Sequence, residues 1–145
     1  MKNFPTAPAG LCTRLRAAND DRRTKHAGTA ELLLEAEFGC ARWLAAYGTL
    51  APGQSNHREV AALGGTWQPG FVRGRRAERE FPVFTWDESS PPVPVMLLTS
   101  DRLPWQWAAL DAFEGPDYCR ILVPVHLAGG AIAVANLYAA VAPVA

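Results

Sequence analysis

Residues 110–120 read Leu110-Asp111-Ala112-Phe113-Glu114-Gly115-Pro116-Asp117-Tyr118-Cys119-Arg120, and within them helical spacing gives way to strand-like residues. Upstream, Asp101 and Pro104 open a helix in which Trp105, Ala108, Ala109 and Ala112 recur at helical intervals. Gly115-Pro116 ends it. Downstream, residues 118–127 and 131–141 are apolar segments around Gly129-Gly130, the pattern of a β-hairpin. The stretch thus joins a helix to an antiparallel pair and leaves one carboxylate, Glu114, in the last helical turn. Carbonyls at a helix C-terminus carry partial negative charge, so an anion there is disfavoured by ~0.3–1 kcal/mol and its pKa rises. Partial burial raises it further. A glutamate tuned upward suits proton transfer near neutral pH, which makes Glu114 the candidate general base.

Farther upstream, Arg42-Trp43-Leu44-Ala45-Ala46-Tyr47 is apolar enough for a buried strand that Gly48 closes. Asn56 with Glu59 resembles a capping box, followed by a short helix through Val60, Ala61 and Leu63 that Gly64-Gly65 ends. Residues 66–71 and 72–77 read as strand material broken by Pro69-Gly70 and by Gly74, and residues 83–86 as a further short strand. Residues 87–92, with two serines and two prolines, form a surface turn before a strand at 93–98, where Pro94 marks an edge or bulge. Residues 1–40 read as an N-terminal extension, partly disordered, with a short helix that Thr29 caps and Gly39 stops. Residues 41–145 form the domain.

A chain of 145 residues suits one compact domain plus a short extension. Fourteen basic residues balance fourteen acidic ones, so no long-range field favours nucleic acid or anionic lipid, and a small or zwitterionic ligand fits better. Cys12, Cys40 and Cys119 are odd in number and lack a CxxC pattern, which reads as reduced thiols in a cytosol. No stretch approaches the ~20 apolar residues of a membrane span. The start lacks the apolar core of a secretory signal, and Asp20 and Asp21 interrupt the basic run at 14–25, which reads as a solvated tail. The expectation is a soluble, cytoplasmic protein.

Gly48 in Tyr47-Gly48-Thr49-Leu50 permits close backbone approach, so the Thr49 and Leu50 amides can bind a carboxylate or carbonyl oxygen. On these four residues alone, ordinary turn punctuation is the commoner outcome. Gly53-Gln54-Ser55-Asn56-His57 extends the motif, with His57 a surface residue at a helix start. Asp111 shares a helix face with Glu114 and reads as structural. Tyr118 and Tyr138 carry phenols that either orient a ligand or pack in the core. Arg120 pairs with Asp117 or Glu114. Cys119 reads as a packed thiol, and the five tryptophans mostly as core or pocket wall. His26, His57 and His126 lack metal-ligand spacing, and neither a Walker pattern nor a dinucleotide fingerprint occurs.

Together, Tyr47-Gly48-Thr49-Leu50, Gly53-Gln54-Ser55-Asn56-His57, and Leu110-Asp111-Ala112-Phe113-Glu114-Gly115 with Tyr118 and Arg120 resemble the gamma-glutamylcyclotransferase-like family in order and spacing, over roughly residues 42–141. The gamma-glutamylamine cyclotransferase branch is the most similar. The resemblance implies an α+β fold, a small mixed β-barrel flanked by short helices, with the substrate cavity where the Tyr47 loop meets Glu114. It implies cofactor-free intramolecular aminolysis of a small γ-glutamyl substrate, with no metal. Glu114 is then the general acid/base, and Tyr47, Gly48, Thr49, Leu50, Tyr118 and Tyr138 bind substrate. A monomer or weak homodimer is expected. The chain departs from the family where Val93-Pro94-Val95-Met96-Leu97-Leu98 replaces a glycine followed by an acidic residue. That change prompts a second reading, a non-catalytic γ-glutamyl or small-metabolite binding module.

Overall fold

A computed structural model describes residues 5–25 and 28–144. His26 and the first four residues of the expected extension lie outside the described residues. In chain order the elements are α1 (Ala9–Arg23), α2 (Thr29–Phe38), β1 (Trp43–Ala46), α3 (Arg58–Ala61), β2 (Thr66–Glu78), β3 (Pro82–Trp86), β4 (Pro92–Thr99), α4 (Trp107–Glu114), β5 (Tyr118–His126) and β6 (Ile132–Ala140). The fold is α+β: strands β2-β4-β1-β6-β5 form a barrel closed by a β2–β5 pairing at Phe71 and His126, with β3 added along β2. The barrel is mixed because β1 and β6 run parallel, at Leu44 and Asn136, while the other pairings are antiparallel.

Side-chain alternation along the strands sorts the core into layers. On β6, Ala133, Ala135, Leu137 and Ala139 pack with Val72, Leu97, Val123 and Val125 inside the barrel. The alternate residues face the helices: Val134 packs with Leu15, Ala18 and Leu34 beneath α1 and α2, and Tyr138 with Leu98, Trp107 and Leu110 beneath α4.

β2 is one continuous strand, not the two pieces expected. Its glycines serve close packing: a Cβ at Gly70 would lie 2.8 Å from Val125, where β2 crosses to β5, and one at Gly74 would lie 2.2 Å from the Phe84 ring. Pro94 sits in β4 opposite Phe71 of β2, beyond the last rung shared with β1, so its missing N–H removes no bond on that side. The expected capping box is absent; Asn56 instead donates its side-chain amide to Thr49 Oγ1 at 3.0 Å.

The basic run at 14–25, expected as a solvated tail, falls largely within α1, a helix docked on the barrel. Cys12, Leu15 and Ala18 are buried along one stripe of α1. Asn19 on the same side bonds the outer edge of β5 twice, accepting from Leu122 N at 2.7 Å and donating to Leu122 O at 2.9 Å. α2 runs from Thr29 to Phe38 and stops at Gly39, whose φ of 61° is left-handed; Gly28, not Thr29, holds the cap position. Two further expectations are corrected. Trp105 is 83% exposed, in a short 3-10 turn ahead of α4, and Cys119 is exposed on β5. Among the described residues no helix is long and apolar enough to cross a membrane.

Candidate functional site

A cavity of about 390 Å³ opens at the end of β1. Tyr47, Gly48, Thr49, Leu50, Glu114, Tyr118 and Tyr138 all line it, whereas Gly53, Gln54, His57, Asp111 and Arg120 of the same motifs do not. Ser55 and Asn56 line it as well, with Phe81, Pro82 and Phe113. Among the described residues, no lysine or arginine lines it.

The loop after β1 is braced through its carbonyls. Gly48 O accepts from Ala51 N at 3.1 Å, Thr49 O from Asn56 N at 2.9 Å, and Leu50 O from His57 Nδ1 at 2.9 Å. The N–H groups of Gly48, Thr49 and Leu50 make no hydrogen bond among the described residues. A loop whose acceptors are used and whose donors are not is suited to an anion or a polarised carbonyl. Gly48 is tight against the wall: a Cβ there would lie 3.3 Å from Pro82 Cβ.

Three tyrosines frame the space, each with its hydroxyl hydrogen donated inside the protein. Tyr47 donates to the Tyr138 carbonyl at 2.5 Å, Tyr118 to the Pro82 carbonyl at 2.8 Å, and Tyr138 to Asp111 Oδ1 at 2.7 Å. Burial raises all three phenol pKa values, most strongly at Tyr47 and Tyr138. These side chains therefore offer ring faces and oxygen lone pairs to a ligand rather than free O–H donors.

α4 delivers the acid. Trp107 Nε1 ties its first turn to the Ala41 carbonyl at 2.8 Å, and Leu110 is buried in the layer below. Gly115 ends it at φ 81°, a conformation costly for a side chain. Glu114, in the last turn, is half-buried and makes no hydrogen bond or ion pair among the described residues. Burial raises its carboxyl to about 7. The cause is burial; the helix C-terminus that the sequence suggested is not among the causes.

Asp111, one turn earlier, is partly exposed yet bonded by Arg120 and Tyr138. Arg120 forks onto it at 2.9 and 3.3 Å, so the pairing expected with Asp117 or Glu114 is not made. Burial pushes the Asp111 carboxyl up, but the bonds from Arg120 and Tyr138 outweigh it and hold it below its ordinary value. Two residues behind this arrangement escaped the sequence reading. Asn136 was signalled by a lone amide in an otherwise apolar strand, and Arg22 by its place four residues after Ala18 on the buried stripe of α1.

The divergent segment at 93–98 does not line the Glu114 cavity. Pro94, Val95 and Met96 line a neighbouring one of about 290 Å³, across the Tyr47-Gly48-Thr49 loop. Among the described residues, no cluster of three or more His, Cys, Asp or Glu side chains is placed to hold a metal ion.

Comparison with known proteins matches residues 44–144 to a family model described as gamma-glutamyl cyclotransferase, AIG2-like. Solved structures share the fold. The protein YkqA from Bacillus subtilis matches with a TM-score of 0.59 and 21% identity, over 70% of this chain and 36% of its own. The matched region thus spans about a third of that protein. An AIG2-like protein from Mus musculus matches with a TM-score of 0.53 and 20% identity, over 69% of this chain and 77% of its own. An uncharacterised protein from Pyrococcus horikoshii gives a TM-score of 0.52 and 19% identity, over 70% of this chain and 80% of its own. No curated protein matches by sequence.

Proposed function

This chain belongs to the gamma-glutamyl cyclotransferase, AIG2-like family, and on that premise we propose that it cyclises the glutamyl part of a γ-glutamyl compound to 5-oxoproline and releases the attached amine or amino acid. Glu114 carries the reading. It is a half-buried carboxyl poised at about 7, without a protein partner among the described residues, in the cavity that the Tyr47-Gly48-Thr49-Leu50 loop also lines. A group at that midpoint takes and returns a proton at neutral pH with little penalty in either direction.

The substrate's α-ammonium gives a proton to the Glu114 carboxylate, and the freed amine attacks the γ-carbonyl carbon. As that C–N bond forms, the carbonyl oxygen becomes an oxyanion, within reach of the uncommitted amides of Gly48, Thr49 and Leu50. The bond to the leaving nitrogen then breaks, and protons lost by the attacking nitrogen pass through Glu114 to the leaving one. Charge balances: one ammonium enters and one leaves. Ring closure is intramolecular, so holding the glutamyl chain bent against the rings of Tyr47, Tyr118 and Tyr138 supplies much of the acceleration. Among the described residues the cavity wall carries no cation, so the substrate's carboxylate falls to backbone donors as well. The divergent strand lies along the neighbouring cavity, which favours turnover over a purely binding role.

Purified protein is to be screened against γ-glutamyl amines, γ-glutamyl amino acids and glutathione with 5-oxoproline as readout. Glu114→Gln, nearly isosteric but unable to accept a proton, is expected to keep the fold and lose about 10³-fold in rate. Full activity in that variant refutes the assignment. A wild-type protein that is stabilised by these compounds yet yields no product is instead a binding module.

A further inference from the structure

The strand β6 is apolar along its buried length except at Asn136, which is fully buried and fully bonded. Its Nδ2 donates to the Cys40 carbonyl at 2.9 Å and the Trp43 carbonyl at 3.5 Å. Its Oδ1 accepts from two arginines at once, Arg22 Nη1 at 2.8 Å and Arg120 Nη1 at 2.9 Å. Two guanidinium groups converging on one oxygen repel unless each is neutralised. Each is. Arg22 forks onto Glu31 of α2 at 2.6 and 3.1 Å, while Arg120 forks onto Asp111 and lies 4.5 Å over the Trp107 ring of α4. Arg22 Nη1 also reaches the Arg120 carbonyl at 3.2 Å. A continuous run of charge-assisted bonds therefore leads from α1 and α2, through β6 and β5, to the helix turn just before Glu114. The family match begins at residue 44, so Arg22 and Glu31 lie outside it.

We infer that Arg22, oriented by Glu31, is a positioning residue for the Glu114 site. Through the Arg120 carbonyl and the shared Asn136 oxygen it fixes the stretch of β5 from which Arg120 reaches Asp111, and Asp111 anchors the final turns of α4, which fixes where the Glu114 carboxylate sits in its cavity. The link to Glu114 rests on the proposed function, whereas the action of Arg22 on Asp111 stands apart from it.

Three variants test this. Arg22→Met removes the fork, and Arg22→Lys keeps the charge without the fork, which also serves if the first variant fails to fold. Arg14→Met breaks a different α1–α2 ion pair, Arg14–Glu37 at 2.6 Å, which touches none of these groups and controls for loosened helices. Carbon-detected NMR titration of the Asp111 carboxyl, without substrate, is expected to show its midpoint rising in Arg22→Met, rising less in Arg22→Lys and unmoved in Arg14→Met. For 5-oxoproline release, both Arg22 variants are expected to lose about ten- to a hundredfold in kcat with KM within about twofold, and Arg14→Met to match wild type. An unmoved Asp111 midpoint in a folded Arg22 variant overturns the inference, as does an equal shift in Arg14→Met. A shifted midpoint with unchanged kcat overturns the link to Glu114. Wild-type protein without turnover fails the proposed function alone, and the titration still decides the role of Arg22.

Discussion

Asp111 and Glu114 stand one turn apart on α4, yet they occupy opposite environments. Asp111 faces the network side, where Arg120 and Tyr138 hold its charge and depress its pKa. Glu114 faces the cavity side, where burial without a partner lifts its carboxyl to about 7. Same helix and same chemical group: the difference lies in whether burial is compensated by donors. Two carboxylates whose midpoints are pushed apart divide the labour, one to hold and one to exchange a proton.

The largest effect expected of this contrast is on rate. As pH falls below the Glu114 midpoint, kcat/KM is expected to drop about tenfold per unit, with an acid limb centred near 7. A limb centred near 4.5 in a pH–rate profile would collapse the contrast. Asp111→Asn comes next. It strips Arg120 and the Tyr138 hydroxyl of their shared acceptor charge, and urea denaturation is expected to show a loss of about 2 kcal/mol, moderated because Asp111 is partly exposed.

Glu114→Gln is expected to move stability the other way. A carboxyl with a midpoint near 7 when folded and an ordinary value of 4.5 binds its proton more tightly in the folded chain. Stability therefore falls as pH rises between those values, and the whole cost is present above 7. That cost is about 3 kcal/mol in full, and the glutamine amide left without a partner in the same place offsets part of it, so the variant should gain about 1 kcal/mol at pH 8, the gain vanishing as pH falls toward 4.5. Asp111 has the reverse slope: its contribution is present above its ordinary value and is lost as pH drops through its depressed one.

The smallest effect belongs to His126, at the far end of β5 from Tyr118. It is buried with Nε2 unpartnered among the described residues, and burial lowers its pKa, with Glu88 and Arg73 opposing one another nearby. Because the folded chain binds this proton less readily, acidification below the ordinary value of 6.5 is expected to cost stability. His126→Leu should remove that component, so that urea midpoints fall less steeply as pH drops below 6.5.

How far the sequence reached depended on who carried the signal. The terminal hairpin, the end of α4 and the loop after β1 were legible because glycine and proline mark local backbone geometry, which a reader sees without knowing the fold. Gly70 and Gly74 misled for the same reason: they look like breaks, but what they accommodate is a neighbouring strand or ring, and that is invisible until the barrel closes. α1 was missed because its docking stripe runs Cys12, Leu15, Ala18, Asn19, Arg22, whose small and polar members bury without announcing themselves as apolar. The residues that line the cavity were pointed to by the two motifs together and by the family they resemble. The partners that separate Asp111 from Glu114 come from β5, β6 and α1, at distances along the chain that no local pattern encodes.

Asn19 touches β5 at a single rung, satisfying both main-chain groups of Leu122 on the side away from β6. One side chain thus impersonates a further strand. A sheet margin with unclaimed hydrogen-bonding groups invites backbone from another molecule, and chains so recruited stack into aggregates. With Asn19 in place, the main chain at Leu122 has no free donor or acceptor left to offer such a visitor.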